Sequence, residues 1–143
     1  MPTEGVVDAL WKVHRSLRPD GLLLDVHPQP RPTPVEVRMG AGTTSIGRLE
    51  YSPGFVQTIS TANDALTLIG REGAFVNDQK MEFELLHYIN SIADWQTSLT
   101  TEAQYYVPPD ETLIESIHSL LDRTAGEIIL RELIEATRFR RSD

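Results

Sequence analysis

A short, uninterrupted apolar run near the N-terminus is the sequence feature that most constrains the fold. Residues 22–26 read Leu-Leu-Leu-Asp-Val and follow a turn marked by Pro19 and Gly21. A run of strand length without polar alternation is typical of a strand buried on both faces, as in the middle of an α/β sheet. Before it, apolar residues recur at helical spacing over 3–18, which predicts an amphipathic helix. Helix, tight turn and buried strand together form half of a βαβ unit.

The rest of the chain alternates between predicted strands and helices. Proline at every second position over 28–34 predicts an extended connector, because the ring fixes φ and removes an amide donor. Strands at 35–38 and 45–51 flank a glycine-containing loop and predict a hairpin. The remaining elements are a helix over 53–70, a strand over 74–89, a helix over 91–99, a helix from Asp110 to before Gly126, and a strand over 127–139.

The predicted strand over 74–89 has two different faces. Met81, Phe83 and Leu85 share one face, and Glu82 and Glu84 lie on the other. We therefore expect the glutamate side to be the wetter one. His87 lies on the apolar face, where a hydrogen-bonded core histidine is the expected structure.

Composition bounds the class of protein. A length of 143 residues predicts a single domain spanning 1–143, and the absence of cysteine excludes disulfides and thiolate metal sites. Thirteen basic against 21 acidic residues give a net charge of −8, which disfavours nucleic acid and anionic membranes as partners. No stretch has the length of a membrane span and no leader pattern opens the sequence, so a cytoplasmic location is expected.

The segment Leu17-Arg-Pro-Asp-Gly21, followed by Leu22–Val26 and His27-Pro28, resembles a specific neighbourhood of class I S-adenosylmethionine-dependent methyltransferases. In that family a helix ends in a Leu-Arg/Lys-Pro-Gly-Gly turn before the buried fifth strand. Asp20 replaces the first glycine here, and Gly21 is expected to supply a positive φ. The resemblance implies an α/β fold: the C-terminal half of a Rossmann-like sheet, mixed parallel and antiparallel, with an inserted hairpin and inserted helices.

The cofactor half of that family has no counterpart in this sequence. No glycine-rich turn follows a strand, so no cofactor-binding residues are assigned and the chain alone is not expected to bind S-adenosylmethionine. The resemblance implies a methyltransferase-related protein of uncertain activity that is one part of a split or truncated small-molecule methyltransferase. A partner chain would then supply the complementary cofactor-binding half.

Two alternatives set catalysis aside. One is a non-catalytic, dimeric small-ligand or protein-interaction module. The other is an α+β ligand-binding fold in which helices cover a curved sheet, favoured by antiparallel pairing and one deep apolar pocket. A partial sheet would leave the strand at Leu22–Val26 with an unpaired apolar edge, which predicts a homodimer through that exposed sheet edge.

Candidate site residues fall into two groups. Asp25 and His27 are two apart at the end of the predicted buried strand, so they share a face, and histidine can act as a base near neutral pH. They could instead cap the strand and precede the connector. Trp95, Tyr105 and Tyr106 could line a ligand pocket, form a subunit interface or fill the core. The histidines show no metal-ligand spacing, so no metal site is expected.

Overall fold

The computed structural model describes residues 3–122 and 125–143, which form an α/β protein. The described residues contain four helices, none of them long and apolar enough to cross a membrane, and five strands. In chain order these are α1 (Thr3–Ser16), β1 (Leu22–Pro28), β2 (Thr33–Met39), β3 (Gly42–Leu49), α2 (Pro53–Arg71), β4 (Phe75–Ile89), α3 (Ile92–Thr101), α4 (Glu111–Leu121) and β5 (Gly126–Arg141). The order of elements agrees with the prediction. The predicted end of the fourth helix extends over residues 123 and 124, which lie outside the described part.

The strand pairings differ from those that the methyltransferase resemblance implies. β1 pairs with β5, β2 pairs with β5, and β2 pairs with β3, all antiparallel, and β4 also pairs with β5. The five strands therefore form an antiparallel sheet rather than the mixed Rossmann-like sheet. β5 is 16 residues long and runs antiparallel to both β1 and β2. A local sequence pattern carries no signal for the direction of pairing between segments so distant in the chain.

The chain divides into two compact units. Unit 1 consists of Met1–Pro28, Val56–Phe83 and Ile134–Asp143, and unit 2 consists of Gln29–Phe55 and Glu84–Leu133. β4 and β5 are long enough to contribute residues to both.

Unit 1 packs α1 and α2 over one face of its strands. Ile69, Ala74 and Phe75 are buried, and partly buried apolar residues surround them: Val7, Leu10, Trp11, Val13, Leu17, Leu23 and Phe139. Leu23 faces this core opposite Phe139 in the β1–β5 register. The helical spacing predicted for α1 and α2 therefore corresponds to their buried faces.

The turn between α1 and β1 has its positive φ at Asp20 (59°), and not at Gly21 as expected. Gly21 is required for a different reason. A Cβ at this position would lie 2.8 Å from the Arg18 carbonyl oxygen and 2.9 Å from the Leu17 Cβ. Gly21 therefore permits a close approach of backbone to backbone, while the aspartate tolerates the left-handed conformation.

The prediction that β1 is buried on both faces is wrong. Leu22, Leu24 and Val26 are 50%, 66% and 57% exposed, whereas the alternate residues face the unit 1 core. An apolar run specifies that both faces avoid polar groups, but it does not specify that a second layer covers both of them.

Unit 2 packs α3 and α4 against the β2–β3 hairpin and the first half of β5. Its fully buried core includes Val35, Val37, Leu49, Trp95, Ile117 and Ile128. Ser91 caps α3 by accepting from the Asp94 amide (3.0 Å), and Asp110 caps α4 by accepting from the Leu113 amide (2.8 Å). The hairpin is confirmed, with Gly40 at φ 58° in its turn. The connector before it is shorter than predicted, because β1 extends to Pro28 and β2 begins at Thr33.

Candidate functional site

Asp25 and His27 lie side by side at the end of β1, in unit 1. His27 Nε2 is 3.2 Å from the Asp25 carboxylate, and both side chains are largely buried. Burial raises the pKa of Asp25, while the neighbouring His27 opposes that shift. His27 Nδ1 lies 3.0 Å from the Pro28 carbonyl oxygen, an acceptor that fixes the proton on Nδ1. With the proton on Nδ1, Nε2 is an acceptor that faces a carboxylate acceptor. A proton placed between Nε2 and the carboxylate would form a hydrogen bond that joins the two groups.

Asp25 of this pair lines an open cleft of about 590 Å³ in unit 1, whereas His27 does not. Lys80 and Glu135 form an ion pair at 2.9 Å in the same cleft. Arg71 lies on its rim, and among the described residues no carboxylate pairs with it. The further lining residues from α2 and the strands are mostly polar: Asn63, Thr67, Asn77 and Thr137, with Leu66, Gly70, Phe75 and Phe139. The cleft thus presents fixed charges of both signs to a polar ligand.

A second cluster, in unit 2, surrounds the carboxylate of Glu132 on β5. Tyr51 Oη donates to Glu132 Oε1 at 2.5 Å, Tyr106 Oη donates to the same oxygen at 3.3 Å, and His87 Nε2 lies 2.9 Å from Oε2. The Glu132 side chain is 13% exposed, so these three partners replace most of its hydration. We refer to these four residues as the Glu132 cluster.

Burial and the neighbouring Glu132 carboxylate shift both phenols of this cluster away from ionisation. Burial, with the carboxylate next in effect, raises the pKa of Tyr106 to about 12. The pKa of Tyr51 is raised further, by burial and by its hydrogen bond to Glu132. Both phenols therefore remain protonated donors throughout the physiological range.

The structure separates the three predicted pocket residues. Tyr105 and Tyr106 line a cavity of about 180 Å³ in unit 2, whereas Trp95 is buried in the core of that unit and does not line it. Sequence reasoning missed Tyr51, Phe55, His87 and Glu132 as members of the same cavity. His87 was expected in a core, but its side chain is 43% exposed and it contacts Glu132.

A third feature is the exposed apolar face of the unit 1 strands. Leu24, Met81, Ala136 and Arg138 border one shallow depression with Gln79, which places β1, β4 and β5 side chains on a common surface. Leu24 and Met81 line this depression, and four more large apolar side chains of the same two strands are exposed: Leu22, Val26, Val76 and Phe83. We call these six side chains the apolar face. Glu82 was expected to mark the wetter side of β4, yet the apolar side is exposed too.

Charges on this surface are few and largely neutralise one another. Arg138 and Arg140 both contact Asp78, Arg138 Nε at 2.7 Å and Arg140 Nη2 at 3.3 Å. The two guanidinium groups, Arg140 first, lower the pKa of Asp78. The surface therefore carries no excess of negative charge, although the chain as a whole is acidic.

Comparison with known proteins adds no relative: no family model, no curated protein and no solved structure matches this chain. Within residues 3–122 and 125–143, no three side chains of the metal-ligating types are grouped so as to hold a metal ion.

Proposed function

We propose that this chain is a non-catalytic interaction module that forms a homodimer through the apolar face of unit 1. The observation that carries the proposal is the exposure of its six large apolar side chains, from 40% at Phe83 to 66% at Leu24. Soluble monomers rarely expose contiguous apolar patches of several hundred Å² unless the patch binds something.

The size of the face fits a protein partner. Six side chains, each roughly half exposed, present on the order of 400–500 Å² of apolar area. A standard interface buries about 800 Å² on each partner, of which about 60% is apolar, so the two quantities agree. A small ligand would leave most of this area in water.

A second copy of the chain is the partner that the charge and the strand arrangement favour. The chain carries a net charge of −8, and Arg138, Arg140 and Asp78 make the face one of the places where two copies can meet without opposing carboxylates. β1 and β4 both contribute side chains to the apolar face, so a two-fold axis would pack this sheet face against its copy and bury Leu24 of both chains.

The test is the oligomeric state of three proteins, measured by sedimentation and by light scattering across a range of concentrations. We expect a dimer for the natural sequence and a monomer for Leu24→Lys, with unchanged circular dichroism. Leu68→Lys is the matched control, since Leu68 is 41% exposed on α2 and lies outside the apolar face; it should remain a dimer. A natural protein that is monomeric at about 200 μM, well above a standard-size interface's dissociation constant, would refute the proposal. So would a Leu24→Lys protein that dimerises normally.

A role as part of a split methyltransferase stays a prediction. The antiparallel pairings give no support to the mixed sheet on which the resemblance depends. Calorimetric titration of the chain with S-adenosylmethionine and its demethylated product tests it. Micromolar binding would establish a cofactor site without a glycine-rich turn, and no binding by the folded protein would leave either a partner-dependent half-enzyme or a non-catalytic module.

A second candidate function is the binding of a small polar molecule in the Asp25 cleft. Its volume of about 590 Å³ falls within the usual range of ligand sites. Asp25 is suited to an ammonium group and Arg71 to a carboxylate, so a zwitterion such as a free amino acid has the complementary charges. Titration with free amino acids, followed by amide chemical shifts, should move Asp25, Arg71 and Thr137 together; no saturable shifts at millimolar ligand would exclude this function.

A further inference from the structure

We propose that the cavity beside Glu132 binds a small organic cation of the quaternary or methylated ammonium class. The cavity has a volume of about 180 Å³ and lies within unit 2. Four aromatic residues, two carboxylates and one histidine line it: Tyr51, Phe55, Tyr105, Tyr106, Glu102, Glu132 and His87. Neither the apolar face nor the Asp25 cleft includes any of these residues.

The aromatic side chains form a continuous wall. Tyr51 and Tyr106 stack at 5.1 Å between ring centroids, Tyr51 contacts Phe55 at 5.2 Å, and Phe55 contacts Tyr105 edge-to-face at 4.9 Å. Aromatic faces carry partial negative charge, and several of them around one cavity attract a cation whose own charge is spread over methyl groups. Such a ligand also loses little hydration energy when it enters an aromatic site.

The charge of the cavity lining has the matching sign. Glu132 supplies a largely buried carboxylate, and Glu102 supplies a second, more exposed one. Among the described residues no cationic side chain pairs with Glu102, and neither lysine nor arginine lines the cavity. His87 is the one basic group there, and its Nε2 is already directed at Glu132. The lining therefore carries an excess of negative charge when His87 is neutral.

The size and donor set select an organic cation over other ligands. A volume of about 180 Å³ is below that of sites for drug-sized molecules, and suits a head group such as trimethylammonium. A metal ion such as Ca²⁺ would need six to eight oxygen ligands, whereas this lining offers mostly ring carbons. Both phenol hydroxyls next to Glu132 are already committed to its carboxylate.

The experiment compares ligands that differ in charge but not in shape. The natural protein is titrated with choline, with tetramethylammonium and with 3,3-dimethylbutan-1-ol, the neutral isostere of choline, at constant ionic strength, and amide chemical shifts are followed. We expect saturable shifts around Tyr105 and Tyr106 with both cations, and binding of the neutral alcohol at least roughly tenfold weaker. Equal binding of choline and the alcohol, or no saturation by either cation at millimolar concentrations, would overturn the proposal.

Two variants at exposed positions test the residues without threatening the fold. Tyr105 is 37% exposed, and Tyr105→Ala removes its ring from the aromatic wall of the cavity. This variant should weaken choline binding roughly threefold to thirtyfold. Glu102→Gln removes one charge at nearly constant shape and should weaken binding several-fold. Tyr88→Ala is the control, because Tyr88 is 49% exposed and lies outside the cavity lining. Choline affinity unchanged in both test variants would contradict the assigned site.

Discussion

Removal of one hydroxyl from Tyr51 should destabilise unit 2 more than the same change at Tyr106. Tyr51→Phe deletes a short hydrogen bond of 2.5 Å to a carboxylate that is 13% exposed, and it leaves the ring in place. Hydrogen bonds to charged groups contribute about 1.5–3 kcal/mol, and we expect a loss in that range. The Tyr106 hydroxyl lies at 3.3 Å from the same oxygen, so Tyr106→Phe should cost about 0.5–1.5 kcal/mol.

The measurement is urea unfolding followed by a fluorophore that reports on unit 2 alone. The sequence has two tryptophans, Trp11 in unit 1 and Trp95 in the core of unit 2. In a Trp11→Phe background, Trp95 emission therefore follows the unit that contains the Glu132 cluster. Tyr88→Phe is the matched control, since Tyr88 is half exposed and has no hydrogen bond to Glu132; its free energy of unfolding should change by less than about 0.5 kcal/mol.

Two results would refute the reasoning. If Tyr51→Phe costs no more than the Tyr88 control, the Glu132 carboxylate does not depend on its phenol donors. If Tyr106→Phe costs more than Tyr51→Phe, the two distances do not rank the two bonds. The two donors share one acceptor atom, so their effects should not be additive. The loss in free energy of unfolding of the double variant should differ from the sum of the two single losses by more than about 0.3 kcal/mol.

Three further outcomes follow from groups in both units. In the folded protein the pKa of Tyr106 is raised from its ordinary value of 10.0 to about 12, so the stability that it contributes is present below pH 10 and is lost as the pH rises from 10 to 12. In that window the free energy of unfolding of Tyr106→Phe, measured by urea titration, should therefore fall less with pH than that of the natural protein. Asp25 has a raised pKa, so its ionisation costs stability as pH rises; Asp25→Asn should raise the melting temperature at pH 7, and the gain should disappear towards pH 3. Gly21→Ala should cost about 1–3 kcal/mol because its Cβ meets the Arg18 carbonyl and Leu17 Cβ, whereas Gly54→Ala, with open space around it, should change stability by less than about 1 kcal/mol.

The helices and the hairpin could be predicted because their signals are local. The spacing of apolar residues in α1 and α2, the cap residue Asp110 and the glycine at position 40 each act within a few residues of the element that they specify. The direction of β5 against β1 could not be predicted in this way. Leu22 pairs with Arg140, and nothing near Leu22 in the sequence identifies a partner so far along the chain.

The uncovered face of β1 illustrates a second limit. Three apolar residues on the second face of a strand indicate that this face is not meant for water, whether the cover is a helix of the same chain or a surface of another. In unit 1 the helices pack on the Leu23 side, and Leu24 on the other side is 66% exposed. Sequence reasoning therefore recognised a strand with two apolar faces, but it could not tell that the helices of unit 1 cover only the Leu23 side.

The two candidate sites differ in how far the chain had to fold to assemble them. Asp25 and His27 are two residues apart, so strand geometry alone places both side chains on one face, and the pairing was predictable. Glu132 receives Tyr51 from 81 residues away, His87 from 45 and Tyr106 from 26. One signal was nevertheless local. In β5 the alternate residues Ile128 and Leu130 are buried and apolar, and Glu132 continues that stripe with a carboxylate. A charge on the buried side of a strand requires partners, so this position, more than the aromatic residues themselves, indicates where a polar site has to form.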